Sequence, residues 1–357
     1  MIPEGSRFEP DPDLVLDDHS LPEGWEVTAV EVERDLERLT ALLRRHEDFG
    51  RGWASSGPED VLVEISPRGE RMRANVVVRD PGGTAQAWGS VHDRAAGRMM
   101  FVLVVDRDME ATLRRRCARV LCDWADGQAR EVGAARGLEV QQIDTGAFAD
   151  DERFRKWLSG AGYDHVRTWW QMSRPVQPEE ASLVADPALW EDRGVRFRRV
   201  TREGEGLPDE DDLHAVHDVL EGAFADHFNS HEETFEEFVH RLREDPGHRW
   251  DHWWLAELVD GDAPEPAGAV VATHLASDDG PDGSYVSYIG VLENARGRGV
   301  ATGLLRTVIA DAAGRGRNRV GLEVDADSPT GADGLYTSMG WVTQYVTESW
   351  HRDVPTG

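Results

Sequence analysis

The chain has 357 residues, 39% of them hydrophobic, and includes 13 tryptophans. This length exceeds one ordinary compact core, so two domains are expected, and so many large apolar side chains argue against a disordered chain. Its 68 acidic residues against 39 lysines and arginines give a formal net charge of −29, which argues against a nucleic acid as the partner.

Residues 1–24 are polar, contain four prolines and are predicted to form an extended N-terminal arm. This segment lacks the apolar stretch of a signal peptide, and the chain has no run of about 18 apolar residues that could cross a membrane. Cys117 and Cys122 lie on different faces of a predicted helix, so they indicate neither a disulfide nor a metal site. We therefore expect a cytoplasmic protein without membrane or metal binding, either a monomer or a homodimer.

Hydrophobic periodicity predicts a first domain over residues 25–175. Its strands are predicted at 26–31, 61–65, 74–78, 85–91, 99–105, 138–143 and 168–173, and its helices at 35–45, 109–136 and 151–160. Residues 176–193, with Pro178 and Pro187, are predicted to be a linker.

The pattern then restarts in a second predicted domain, residues 194–357. Its strands are predicted at 195–200, 253–258, 267–274, 285–291, 319–325 and 341–350, and its helices at 211–224, 234–242, 300–313 and 331–339. The similar order of elements indicates an internal duplication of about 150 to 170 residues per copy.

The strand at 285–291 leads into a glycine-rich turn, Arg296-Gly297-Arg298-Gly299, which opens the helix that begins at Val300. The first amides of that helix have no internal acceptors, and with the helix dipole they suit a phosphate. The two glycines would let a pyrophosphate approach the backbone, and the two arginines add positive charge. No Lys-Ser/Thr pair closes the turn and no first βαβ unit carries it, so it is neither a P-loop nor a dinucleotide fold. The strand–loop–helix context favours anion binding over a turn that only begins a helix.

The segment Arg296–Ala301, followed by Thr302-Gly303-Leu304-Leu305, resembles the Q/R-x-x-G-x-G/A acyl-CoA signature of the GCN5-related N-acetyltransferase (GNAT) family. Downstream, Val324–Ala332, Leu335-Tyr336 and Met339-Gly340-Trp341 are similar to that family's strand, acidic turn, helix and Gly-aromatic ending. The resemblance covers residues 195–352, and the tandem layout looks closest to mycothiol-synthase-like members. It implies a mixed α/β fold of two tandem GNAT-like domains, each a mostly antiparallel, splayed sheet flanked by helices.

The resemblance also implies that acetyl-CoA is the cosubstrate. Pantetheine would lie where the sheet opens between the strands 285–291 and 319–325, and the pyrophosphate would bind the amides of residues 298–302. The residues assigned to acetyl-CoA in this way are Ile289, Gly290, Val291, Arg296, Gly297, Arg298, Gly299, Val300, Ala301, Thr302 and Ser328. Tyr336 falls where the family places its general acid, and a phenol with a pKa of about 10 can protonate a departing thiolate at neutral pH. Its alternative role is to pack the last helix against the sheet.

Two options remain open for the general base. Many GNAT proteins have a carboxylate on the strand before the phosphate loop, and mycothiol synthases have a Glu near the position of Tyr285, but residues 285–291 include none. If this strand pairs with residues 267–274, His274 lies near Ser287 and could take a proton directly or through water. Glu323 and Asp325, which share one face of their strand, are the second option.

The segment between the first two helices of the second domain often borders the acceptor pocket in this family. Here Asp226, His227, Phe228 and His231 combine carboxylate, imidazole and aromatic groups, which suit a cationic amine. The same residues could instead belong to a loop that covers the core. No H-E-x-x-H pattern is present, so no metal is expected.

The first domain keeps the order of elements but not the phosphate loop. At the corresponding place, Asp106-Arg107-Asp108-Met109-Glu110 has no glycine and three acidic side chains, which would repel a phosphate. We therefore expect a degenerate domain that does not bind CoA. The leading hypothesis for the chain is an acetyltransferase that acts on a primary amine of a small molecule. The alternatives are a noncatalytic CoA-binding sensor or scaffold, and an N-acetyltransferase of proteins or peptides.

Overall fold

The computed structural model describes residues 20–66, 73–94, 97–183, 190, 192–204, 206–225, 234–244, 248–277, 281–327 and 331–357. The strands are β1 (Glu26–Ala29), β2 (Arg73–Arg79), β3 (Ala85–Asp93), β4 (Arg98–Val105), β5 (Val140–Phe148), β6 (Asp164–Pro175), β7 (Val195–Arg199), β8 (His248–Leu258), β9 (Glu265–Leu275), β10 (Gly283–Val291), β11 (Arg319–Asp325) and β12 (Val342–Pro355). The helices are α1 (Val32–Arg51), α2 (Pro58–Ile65), α3 (Ala111–Ala135), α4 (Glu152–Gly160), α5 (Glu210–Phe224), α6 (Phe235–Glu244), α7 (Val300–Gly314) and α8 (Ala332–Ser338). No helix in these ranges is long and apolar enough to span a membrane.

The chain divides into two compact units, and the first comprises Met1–Trp169 and Tyr345–Gly357. Its strands lie in the order β1-β2-β3-β4-β5-β12, antiparallel except for the parallel pair of β4 and β5. Helices α1 and α2 pack on one face around Leu39 and Trp88, and α3 and α4 pack on the other around Leu121. These three side chains have 0% exposure, so burial of apolar surface holds both layers on the sheet.

The second unit comprises Trp170–Gln344 and repeats this arrangement. Its strands lie in the order β6-β11-β10-β9-β8-β7, antiparallel from β7 to β10 and parallel between β10 and β11. Helices α7 and α8 pack on one face through Leu304 and Tyr336, and α5 and α6 pack on the other through Val216 and Leu242. The predicted fold class is confirmed, because each unit is a mostly antiparallel sheet flanked by helices.

The boundaries of the units differ from the predicted domains 25–175 and 194–357. The first sequence repeat ends with β6, yet β6 from Trp170 onward belongs to the second unit. The second repeat ends with β12, yet β12 from Tyr345 onward belongs to the first unit, because Thr347–Pro355 pair with β5. Periodicity predicts that a segment is a strand, but it does not tell which strand will be its neighbour.

Residues 61–65 form part of a helix and not the predicted strand. Helix α2 begins at Pro58, whose fixed φ and missing N–H suit the first turn of a helix. Asp60 accepts a hydrogen bond from the amide of Gly57 at 2.7 Å, which caps the same turn. These local start signals outweigh the strand propensity of Val61 and Val63.

Candidate active site

The sheet of the second unit opens between β10 and β11. Their pairing is limited to Gly283–Val286 with Arg319–Leu322, whereas β10 continues to Val291 along β9. A bulge at Ser287, between two residues that remain paired with β9, bends β10 at the point where the strands part. The predicted opening of the sheet is thus present, and within the described strands nothing pairs with this edge of β10 beyond Val286. We call the space between β10 and β11 beyond their paired residues the gap.

The open edge of β10 presents the backbone groups of Ile289 and Val291. Alternate residues of a strand bond to opposite neighbours, and the amide of Leu292 donates to the carbonyl of Ala267 on β9 at 2.9 Å. Gly290, two residues earlier, therefore also faces β9, while Ile289 and Val291 direct their N–H and C=O groups into the gap. An extended chain that contains amides can bond to this edge as a missing strand would.

Helix α7 follows β10 after one loop, and its first turn has no capping side chain. Its N-cap residue, Gly299, has φ of 81°, and Gly297 has φ of 80°. Both values lie in the left-handed region that favours glycine. The first amides of the helix, at Val300–Thr302, are therefore available to an anion.

The two arginines of the loop have different surroundings. Nη1 of Arg298 lies 2.7 Å from a carboxylate oxygen of Asp260, so its charge is already paired. Arg296 is exposed, and within the described residues it forms no ion pair. A third arginine, Arg193, donates from Nη1 to the carbonyl of Arg298 at 3.3 Å. Sequence analysis did not identify Arg193, because it comes from the turn before β7, about a hundred residues away from the loop that it contacts.

Gly290 has a packing role, and its assignment to acetyl-CoA stays a prediction. A Cβ atom at Gly290 would lie 2.8 Å from Cβ of Ala223 and 3.2 Å from Cδ2 of Leu220. The glycine thus lets α5 approach β10 closely, while its own backbone faces β9. Five other predicted site residues lie outside the described residues. They are Asp226, His227, Phe228, His231 and Ser328.

His274 does not lie near Ser287, so the first option for the general base is wrong in its geometry. It pairs with Ser284, and its Nε2 lies 2.7 Å from a carboxylate oxygen of Asp282. The hairpin of β9 and β10 is centred earlier than predicted, and the bulge at Ser287 shifts the register again. Register depends on turn geometry and bulges. His274 therefore sits where β10 and β11 are still paired, away from the gap.

Glu323 is the carboxylate that the structure places where the strands part. It follows Leu322, the last residue of β11 that pairs with β10. Nε2 of Gln171 donates a hydrogen bond to Glu323, and the hydroxyl of Tyr285 donates to Oε1 of Gln171 at 3.3 Å. The side chain of Glu323 is exposed, yet desolvation by the surrounding protein raises its pKa. The carboxylate is therefore accessible, while the protein around it disfavours its charged form.

Tyr336 lies on the other face of the sheet, where α7 and α8 pack. It is 8% exposed and belongs to the cluster against which Ile289 and Val291 pack. Burial raises the pKa of Tyr336 to about 12, so the phenol keeps its proton at neutral pH. Within the described residues its hydroxyl has no hydrogen-bond partner, which leaves the proton available for donation.

The first unit has a similar gap, but its own side chains occupy the groups that an external ligand would need. Strands β4 and β5 pair only from Arg98 to Met100 within the described residues. Just beyond, Oγ1 of Thr145 donates to the carbonyl of Phe101 at 2.8 Å. The carboxylate of Glu110 accepts from two amides of the first turn of α3, at 2.9 and 3.2 Å. An internal carboxylate therefore caps this helix where α7 offers free amides.

The first unit also lacks a counterpart of the Tyr336 hydroxyl. In the second unit the amide of Trp341 donates to the carbonyl of Tyr336 at 3.1 Å, across a turn with a glycine at φ of 92°. In the first unit the amide of Tyr163 donates to the carbonyl of Leu158 at 3.0 Å, across a turn with a glycine at φ of 84°. Leu158 thus takes the place of Tyr336, and it has no proton to donate.

Comparison with known proteins agrees with this geometry. Residues 213–341 match the model of the acetyltransferase (GNAT) family, a range that includes the gap, the glycine-rich loop and Tyr336. No curated protein matches the chain significantly. The comparison does not bear on the narrower likeness to mycothiol synthases, which stays a prediction.

Solved structures with a similar fold include several acetyltransferases. A GCN5-related N-acetyltransferase from Sphaerobacter thermophilus has a TM-score of 0.72 and 21% identity, over 95% of this chain and 98% of that chain. A tandem GNAT protein from the clavulanic acid biosynthesis pathway has a TM-score of 0.66 and 15% identity, over 92% and 98%. A glucosamine N-acetyltransferase region in a fungal multi-domain GH3 beta-N-acetylglucosaminidase has a TM-score of 0.64 and 15% identity, over 93% of this chain and 38% of that chain. This chain therefore has a tandem GNAT fold, and its second unit contains an acetyltransferase domain of the GNAT family.

Proposed function

We propose that the second unit transfers an acetyl group from acetyl-CoA to a primary amine of a small molecule, and that the first unit does not bind acetyl-CoA. The proposal is supported by the difference between the first turn of α7 and the first turn of α3. Helix α7 begins with uncapped amides after a strand with an open edge, whereas Glu110 caps α3. Only the first arrangement leaves room for the anionic and amide groups of CoA.

The residues of the second unit fit each part of acetyl-CoA, which supplies an activated thioester when bound. The backbone of Ile289 and Val291 would hold the amides of pantetheine, and the amides of Val300–Thr302 would hold the pyrophosphate. The exposed guanidinium groups of Arg296 and Arg193 add positive charge beside the same helix start.

Acetylation of a protonated primary amine removes two protons from the nitrogen, one before it attacks the thioester and one as the amide forms. One proton is delivered to the departing sulfur, and the other is released to solvent. We assign the removal of a proton from the nitrogen to Glu323, whose raised pKa makes its carboxylate a stronger base than an ordinary exposed glutamate. We assign the protonation of the sulfur to Tyr336, whose protonated hydroxyl lies on the opposite face of the sheet from Glu323. The strongly acidic surface, with Asp325 next to Glu323 on the same strand face, would attract a cationic amine.

Acetyl-CoA is expected to bind once per chain, in the second unit, because only that unit keeps free amides at the helix start. Titration calorimetry on the full chain measures the stoichiometry directly. Two equivalent sites per chain, or no binding, would contradict the proposal. Release of free thiol with a panel of polyamines and amino sugars tests the transfer itself. Tight binding without thiol release above hydrolysis for any amine would instead support a CoA sensor.

Replacing Gly299 with Asp should weaken acetyl-CoA binding by about a hundredfold or more, because a carboxylate would enter the pyrophosphate site. Its Cβ would also displace the guanidinium of Arg193, whose Nη1 would lie only 2.7 Å away. The matched control is Gly316→Asp, the same change at the other end of α7. Gly316 also has positive φ, 71°, and no atom within 4 Å of an added Cβ, so this variant should bind normally. Equal losses in the two variants would show that strain or net charge is responsible. Undiminished binding by a folded Gly299→Asp protein would place the anion site elsewhere.

A further inference from the structure

We propose that Gln171 is a positioning residue that fixes the carboxylate of Glu323 for proton transfer, and that Tyr285 fixes Gln171 in turn. This inference rests on the proposed function, in which Glu323 is the general base. It adds a residue from β6, a strand that no sequence motif connects with the site.

The two ends of the Gln171 amide determine how this network is oriented. An ionised carboxylate can only accept hydrogen bonds, so the end that faces Glu323 has to be Nε2. The other end, Oε1, then faces the hydroxyl of Tyr285, which donates to it at 3.3 Å. The Tyr285 bond therefore holds the amide in the orientation that directs an N–H at Glu323.

Packing restricts the network to this geometry. Gln171 is 7% exposed, so its amide cannot easily turn toward water and would lose hydrogen bonds if it left this position. The ring of Tyr285 lies over Gly321, where an added Cβ would be 3.1 Å from Cδ2 of the tyrosine. The missing side chain at Gly321 makes room for the ring to reach β6 across β11. The network thus joins three adjacent strands at the point where the gap begins.

The position of Gln171 in the chain means that both sequence repeats contribute residues to the site. Gln171 belongs to the first sequence repeat, residues 25–175, but it lies in the second unit with Tyr285 and Glu323. The site of the second repeat is therefore incomplete without the last strand of the first repeat. A degenerate copy that has lost its own CoA site would still be required for activity, since it supplies β6.

Few groups other than Gln171 influence the pKa of Glu323. Desolvation raises the pKa of Glu323, and the hydrogen bond from Gln171 lowers it. Within the described residues no charged side chain contributes to this shift. Among the described residues, the titratable groups on this face include Tyr285 on β10, which acts through Gln171, and Asp325 and Arg319, which are two residues after and four residues before Glu323 on β11. Loss of the N–H bond would disfavour the ionised carboxylate, so the pKa would rise further.

The test is the pH dependence of kcat/KM for the full chain with Gln171→Leu. The base has to be ionised, so activity falls as pH falls through its pKa. We expect this acid limb to move up by about one pH unit, with unchanged acetyl-CoA affinity by calorimetry. Tyr285→Phe keeps the ring over Gly321 and removes the hydroxyl, so it should move the limb in the same direction by less. Gln344→Leu, at an exposed strand glutamine, is the control and should not move it.

An unmoved acid limb in folded Gln171→Leu would overturn the inference, because a merely structural glutamine does not change a pKa. If that variant does not fold, an unmoved limb in Tyr285→Phe overturns it, and an upward shift supports it. A different experimental result is expected if the proposed function itself is wrong. In that case Glu323→Gln would retain the activity and the acid limb of the unmodified protein, whatever the Gln171 variant does.

Discussion

Glu323→Gln is expected to lower kcat/KM by about a thousandfold at neutral pH, the order of magnitude of a lost general base. The glutamine has nearly the same shape and can still accept the hydrogen bond from Gln171 through its carbonyl. It cannot take a proton from the amine. The acid limb of the pH profile, which reports ionisation of the base, should disappear along with most of the activity.

Binding and folding should be preserved in the same variant. Glu323 lies beyond the last paired residues of β10 and β11, and the expected pyrophosphate site is at the start of α7, so acetyl-CoA affinity should hold. Desolvation disfavours the ionised form of Glu323, so a neutral side chain should not lower the melting temperature. A large loss of acetyl-CoA affinity would show that Glu323 acts on the cosubstrate and not on the acceptor.

Asp325→Asn is the matched control for Glu323→Gln, because it removes one negative charge from the same face of β11. It should reduce kcat/KM by less than about tenfold, through weaker attraction of the cationic amine. Retention of full activity in Glu323→Gln together with a large loss in Asp325→Asn would make Asp325 the base. Equal large losses would point to a shared role of the two carboxylates.

Tyr336→Phe is expected to lower kcat by about a hundredfold while acetyl-CoA affinity stays the same. The phenol would donate to a sulfur that gains negative charge as the bond breaks, so the contact strengthens in the transition state. Because burial raises the pKa of Tyr336 to about 12, ionisation of this group should not reduce activity at neutral or mildly alkaline pH. The measurement requires an identified acceptor and conditions in which chemistry limits the rate.

The competing role of Tyr336 is purely structural, and the phenylalanine variant separates the two. Phenylalanine keeps the edge-to-face contact with Trp341, whose ring centroid is 6.1 Å away, so the packing and the melting temperature should not change. Tyr163→Phe, at a buried tyrosine of the first unit whose hydroxyl has no partner among the described residues, is the control and should leave kcat unchanged. An unchanged kcat in Tyr336→Phe would leave this residue as a core aromatic.

The glycine-rich loop and most of the secondary structure could be predicted from the sequence alone. Strand β10 ends at Val291 and α7 begins at Val300, as predicted. Such features depend on consecutive residues: glycines adopt positive φ in the loop, and apolar periodicity marks the strand and the helix beside it. The likeness of the two repeats was visible for the same reason. The strand predicted at 61–65 was wrong because Pro58 and Asp60 start a helix there, a local signal that was present but not recognised.

Which side chains meet at the gap depends on the tertiary structure and could not be predicted from the sequence. The position of His274 depended on the hairpin register and on the bulge at Ser287, and periodicity predicts neither. Gln171 and Glu323 are 152 positions apart, and they meet because β6 lies beside β11. Strands that are far apart in the sequence pair in the arrangement that buries their apolar faces and also satisfies the hydrogen bonds of their backbone edges. No short stretch of sequence contains that information, so the unit boundaries and the position of Glu323, rather than His274, at the gap came from the fold.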